Sequence, residues 1–120
     1  MEQETIKTPD AKDVEENQGL SYLSYISIFF LIPLLAKKDS PFAQFHAKQG
    51  MTLVIMVIAV FIGIMIVGFV PFIGPIISFL TWFATIIFAI VCVIMGLVNV
   101  SKGVMKPLPL IGQFAEKIKF

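Results

Sequence analysis

His46 is the only candidate general base in this chain, and nucleophilic catalysis would need such a base beside a serine or cysteine. Cys92, the one thiol, lies in the middle of an apolar run, where a thiol stays protonated and inert and serves packing. One histidine and one cysteine leave no metal-ligand set and no intrachain disulfide, and no cofactor is expected. No Asp, Glu, Lys or Arg falls inside any apolar run, so the mid-membrane charge that proton-coupled transporters and pumps keep is missing. The chemistry that remains is hydrogen bonding. His46, Gln49 and Asn99 share a depth at one end of two apolar runs, and with Ser101 they are expected to form a polar cluster tying segment 37–50 to the last run. Interhelical bonds of this kind average ~0.6 kcal/mol in membranes, so such a cluster sets register rather than catalyses, and the chain reads as no enzyme.

The elements that must position these residues are apolar and long. Ile76–Val100 is 25 residues without a charge, enough to cross the ~30 Å hydrocarbon core of a bilayer as one helix. Along it Ser78, Thr81, Thr85, Ala89, Cys92, Gly96 and Asn99 recur at steps of three and four, which puts every small or weakly polar side chain on one narrow face. That face is the expected packing surface. Met51–Val70 forms another span and carries Ala59 and Gly63 as a small-xxx-small pair that a neighbouring helix can approach closely. Val70-Pro-Phe-Ile-Gly-Pro75 separates these two spans without a charge and predicts a tight turn, making them antiparallel neighbours.

Leu20–Ala36 is a shorter apolar run of 17 residues, at the lower limit for a span, with Tyr22 and Tyr25 at one end and Lys37 and Lys38 at the other. It is expected to be the first transmembrane helix; the alternative is a segment that only dips into the bilayer. Asp39-Ser40-Pro41 reads as a helix start, with Asp39 or Ser40 as cap and proline in the first turn. Residues 41–50 then either lie in the interface or extend the following helix. After Asn99 the prolines keep the chain extended, and Ile111, Phe114, Ala115 and Ile118 predict a short amphipathic helix in the headgroup plane.

The expected fold is therefore all-α and membrane-embedded, with three transmembrane helices at about 20–36, 51–70 and 76–100. Composition agrees: 58% of residues are apolar and 14% charged, against about 25% charged in a soluble domain. Residues 1–19 hold six of the eight acids and few large apolar groups, so they are expected to be a disordered acidic tail ahead of a single helical domain, 20–120. They lack the basic start of a signal peptide, and a bacterial cytoplasmic membrane suits the chain. Absence of arginine argues against nucleic acid as a partner. With three spans, the lysines clustered after residue 37 place the N-terminus outside and the C-terminus in the cytoplasm.

Tyr22-Leu-Ser-Tyr25, Leu31-Ile-Pro-Leu-Leu35, Ser40-Pro-Phe-Ala-Gln-Phe-His-Ala-Lys-Gln-Gly50, the Pro71-Phe-Ile-Gly-Pro75 turn and Lys106-Pro-Leu-Pro-Leu-Ile-Gly112 together carry a resemblance. The chain resembles a family of small bacterial membrane proteins of unknown function that is similar to the Tic-twenty component of the chloroplast inner-envelope import machinery. Phe42, Phe45, His46 and Gln49 are the most specific match. The resemblance implies a helical multi-pass domain and a non-enzymatic accessory or scaffold subunit linked to protein insertion or translocation. Its expected partners are the lipid bilayer and either a second membrane protein or another copy of itself. The alternative function is an oligomeric pore or carrier in which Ser78, Thr81, Thr85 and Asn99 line a water path.

Overall fold

The computed structural model describes residues 9–117. Its helices run in the order α1 (Ala11–Tyr22), α2 (Leu31–Ala36), α3 (Pro41–Val67), α4 (Ile73–Lys102) and α5 (Gly112–Ala115), with two single 3-10 turns, Leu23–Tyr25 and Ser27–Phe30, between α1 and α2. The whole measures 56 × 30 × 23 Å. One half is a hairpin of α3 and α4; the other is a head formed by every remaining element around the start of α3 and the end of α4.

α3 begins as its sequence dictates. Ser40 is extended, its hydroxyl accepts from the Ala43 amide at 3.0 Å, and Pro41 occupies the first helical position. The helix then continues without a break through segment 41–50, which is thus a helix extension. It ends at Val67, and α4 starts six residues later. The turn between them is tight because Gly74 has no side chain: a Cβ there would strike the Val67 carbonyl. Phe72 sits at φ 65°, a left-handed conformation unusual for an aromatic residue, and closes the hairpin. α4 stops where Gly103 takes the left-handed position (φ 70°) that glycine tolerates without a Cβ penalty.

These two helices are 27 and 30 residues long, ~40 and ~45 Å, and only 17% and 22% of their most apolar stretches are buried. A core helix of a soluble protein would be mostly covered. No buried side chain of α3 lies beyond Leu53; from there to the turn, Ile55, Ile58, Phe61, Ile62, Met65 and Ile66 face outward. The exposed apolar surface is what hydrocarbon requires.

Two expectations are corrected. The run 20–36 is not a third transmembrane helix: it is split between the end of α1, two 3-10 turns and α2. Its helix breaks at Ile26 (φ −114°, ψ 91°) and Ser27 (φ 48°). The cause is tertiary. The Ser24 carbonyl approaches α3 so closely at Gly50 that a Cβ there would overlap it, and the Tyr25 ring fills the space over Gly96 of α4. Nor are all of residues 1–19 a tail: residues 11–19 belong to α1, whereas residues 1–8 lie outside the described residues. α1 packs on both α3 and α4 in the head. The N-terminal helix and residues 103–117 therefore lie at the same end of the hairpin.

Candidate functional site

His46 is fully buried one turn inside α3. Its Nε2 lies 3.0 Å from the Val104 carbonyl, which can only accept, so Nε2 carries the proton and Nδ1 is left to accept from the Tyr25 hydroxyl at 2.6 Å. The edge-on rings of Tyr25, Phe42 and Phe45 enclose the imidazole at centroid distances of 5.6, 4.7 and 5.2 Å. One side chain thus joins the 3-10 turn before Ile26, α3 and the loop after α4. Both ring nitrogens are engaged, and neither is presented to a substrate.

Gln49, also fully buried, repeats the arrangement one turn on. Its amide donates to the Gly112 carbonyl (3.1 Å) and its carbonyl accepts from the Leu108 amide (3.0 Å), so both halves of the side chain hold the C-terminal segment. Asn99 donates to the Lys106 carbonyl at 3.3 Å and its own backbone carbonyl accepts from Val104. His46, Gln49 and Asn99 bond not to one another but each to the backbone of residues 104–112, and Ser101 takes part only through its carbonyl, which accepts from Gln18.

Three further staples escaped the sequence reading. Gln44 donates to the carbonyls of Pro33, Leu34 and Lys37 at 3.3, 2.9 and 3.0 Å, capping the C-terminal end of α2. Gln18 donates to the carbonyls of Val100 and Ser101 at the end of α4. Asp13 accepts from the Ser40 hydroxyl and the Phe42 amide, adding a second cap to α3 from another helix. Partial burial pushes the Asp13 carboxyl up, but the hydrogen bonds from Ser40, Phe42 and Asn17 outweigh it and hold the group below the usual carboxylate range.

The small-residue face of α4 is used unevenly. Ser78 reaches the Ile64 carbonyl at 3.5 Å and Thr85 bonds back to its own helix at Thr81. Cys92 is fully buried with Tyr25, Phe42, Leu53 and Val100, Ala89 packs at the edge of that core, and Gly96 meets the Tyr25 ring. Thr81 instead borders a shallow groove of about 470 Å³ shared with Met56, Leu80, Ala84, Thr85 and Phe88. Ala59 and Gly63 point away from the hairpin partner: both are exposed, and a Cβ on Gly63 would meet nothing within 4 Å. The C-terminal helix is shorter than predicted, Gly112–Ala115, with Ala115 buried and Phe114 exposed; Ile118 lies outside the described residues. Among the described residues no three His, Cys, Asp or Glu side chains are close enough to share a metal.

An apolar two-helix hairpin, closed at one end by a head in which buried His46, Gln49 and Asn99 hold the backbone of residues 104–112, defines a small helical membrane protein. The chain belongs to the magnetosome magnetite crystal formation protein family (MamF/MmsF), whose family model matches residues 16–115. It is 30% identical over 99 residues to the magnetosome protein MmsF of Paramagnetospirillum magneticum, covering 82% of this chain and 85% of that one. No solved structure matches it. This corrects the Tic-twenty resemblance, and with it the role in protein insertion or translocation; the pore or carrier reading gains no support from the family either. The segments that carried the resemblance are explained by packing. Phe42, Phe45, His46 and Gln49 are the hub of the head, and the remaining similarity is hydropathy, which any short multi-span chain shares.

Proposed function

We propose that this chain serves magnetite crystal formation as a non-enzymatic structural component of the magnetosome membrane. The family supplies the process. The observation that carries the non-enzymatic part is the engagement of Tyr25, Gln44, His46, Gln49 and Asn99 by groups of their own chain, most of them backbone groups that these side chains hold in place. What such a head offers is rigidity: it fixes one end of the hairpin as a preformed surface.

Charge supports an orientation. Lys12, Lys37, Lys38, Lys48, Lys102, Lys106 and Lys117 all belong to the head end, and the turn 68–72 has no charged residue. The positive-inside rule then favours the head, with both chain ends, on the cytoplasmic face. In that orientation the opposite face presents the uncharged turn Gly68–Phe72.

Deletion of the gene in its native host, with electron microscopy of the magnetite crystals, tests the reading. It expects crystals of altered size or shape, restored by the wild-type gene and equally by Tyr25→Phe, which keeps the ring and loses only the hydroxyl. Unchanged crystals on deletion would contradict the role in crystal formation. A Tyr25→Phe protein present at normal level but inactive would contradict the purely structural role.

A further inference from the structure

The broken apolar run is the feature that the two-span reading leaves without a purpose. Its inner side is packed: Tyr25, Phe30, Pro33 and Leu34 are buried. Its outer side is not. Ile26, Ile28, Phe29, Leu31, Ile32 and Leu35 are exposed, Ile28 and Leu35 by 61% and 62%, which is as open as the lipid-facing side chains of the hairpin. Water is a poor medium for such a surface.

The depth of the segment says what covers it. Counting the ~20 residues that a bilayer core needs from the turn, α3 leaves the hydrocarbon near residue 48 and α4 near residue 93. Phe30 and Leu34 pack against Ala47, Met51 and Val54. Met51 and Val54 lie three and six residues inside that limit, ~5 and ~9 Å deep. The exposed side chains of α2 and the turn before it are thus at hydrocarbon depth and continuous with the lipid-facing surface of the hairpin. The backbone is fitted to that depth. Irregular chain is tolerated in a membrane only where its polar groups are satisfied within the protein. Here the Phe29 amide donates to Ile26 at 2.9 Å, and Gln44 takes up the carbonyls of Pro33, Leu34 and Lys37 at the end of α2. Lys37 and Lys38 follow directly, where anionic headgroups would meet them.

We propose that residues 26–36 form a wedge immersed in the head-side leaflet alone, giving the chain a wider footprint in that leaflet and a fit to bilayers that bulge toward the head. In the far leaflet the protein is two helices across. In the near leaflet it is three segments across, roughly half as much again at ~10 Å per helix. The partner is lipid: acyl chains of one leaflet against Ile28, Phe29, Ile32 and Leu35. This rests on the membrane-spanning part of the proposed function and on nothing in its magnetite part.

Spin labels on Ile28→Cys, Ile32→Cys and Leu35→Cys, in a Cys92→Ala background reconstituted into anionic phosphatidylcholine–phosphatidylglycerol vesicles, read the immersion. Ile62→Cys on the hairpin and Asp39→Cys beyond α2 serve as lipid and water references. The proposal expects all three labels to be accessible to oxygen and shielded from a water-soluble nickel chelate, as at Ile62. Labels that behave like the one at Asp39 while Ile62 stays lipid-exposed would overturn the wedge and leave the two spans standing; a water-exposed Ile62 would overturn both. The second measurement uses the unsubstituted chain, dye-labelled at its N-terminus, in giant vesicles with pulled membrane tethers. Molecules with the head outward are expected to be enriched on the tether over the vesicle, increasingly as it narrows. The triple variant I28S/F29S/L35S, which changes only exposed side chains, is expected to lose that enrichment. Equal density of the unsubstituted chain on tether and vesicle would overturn the proposal.

Discussion

At the scale of single residues, His46 decides how the head is built. Its imidazole is held by one donor and one acceptor from segments 21 and 58 positions away, inside three aromatic edges. His46→Ala removes both bonds and leaves a cavity, so it should cost about 2–4 kcal/mol, read as a lower unfolding temperature in detergent. Tyr25→Phe should cost only about 1 kcal/mol, because the ring still packs on Gly96. Asp13 makes the head sensitive to acid. Its carboxyl is depressed in the folded state, so its contribution is complete above the ordinary carboxylate range, ~3.9, and is lost as pH falls through the lower native value. Proteolysis of α1 should therefore rise in strong acid, and Asp13→Ala should show at neutral pH the susceptibility that the native chain acquires only there. His46 and Gln49 were legible in the sequence as polar residues near an apolar run. Asp13, Gln18 and Gln44 were not, because their partners, mostly backbone groups, belong to other elements from 7 to 83 positions distant, which no local pattern reveals.

At the scale of elements, periodicity and punctuation located the hairpin well. Pro71, Gly74 and Pro75 mark the turn, and the three-and-four spacing from Ser78 to Asn99 marks the face of α4, most of which meets α3 or the head. Hydropathy failed on 20–36 for a physical reason. An apolar run has the same composition whether its helix is continuous or is bent by contacts elsewhere, and the contacts that bend this one sit at Gly50 and Gly96. Those two glycines were the available signal. Gly50→Ala and Gly96→Ala should each unseat the 3-10 turn at Ser24 and Tyr25, whereas Gly63→Ala should be nearly neutral, as Gly63 has open space around it. Cysteine accessibility at position 25 would distinguish these outcomes. Thr85→Leu tests the hairpin interface: Thr85 is buried against it, and the larger side chain should lower stability by about 1–3 kcal/mol in a detergent unfolding assay. α1 was missed for the opposite reason to α2. It buries little apolar surface beyond Val14 and Tyr22, and polar bonds from Asp13 and Gln18 dock it instead.

At the scale of the whole molecule, the membrane character was legible from composition alone, since 58% apolar residues and uncharged runs permit little else. The number of spans was not, and the orientation inferred from charge depended on that number. With two spans the same lysines gather at one end, with both termini, and the topology changes while the rule that reads it does not. Family membership was also beyond the sequence motifs, because the residues that stood out, His46 and Gln49, are those that hold the head together. Topology mapping is the direct test of a two-span hairpin with the α1 end and the α5 end on the same side. Reporters active only in the cytoplasm or only outside it are to be placed at the N-terminus, between Phe69 and Val70, and at the C-terminus. Cytoplasmic signals are expected at both termini and the opposite signal in the turn. Termini that report from opposite sides would contradict the two-span hairpin and restore a third span.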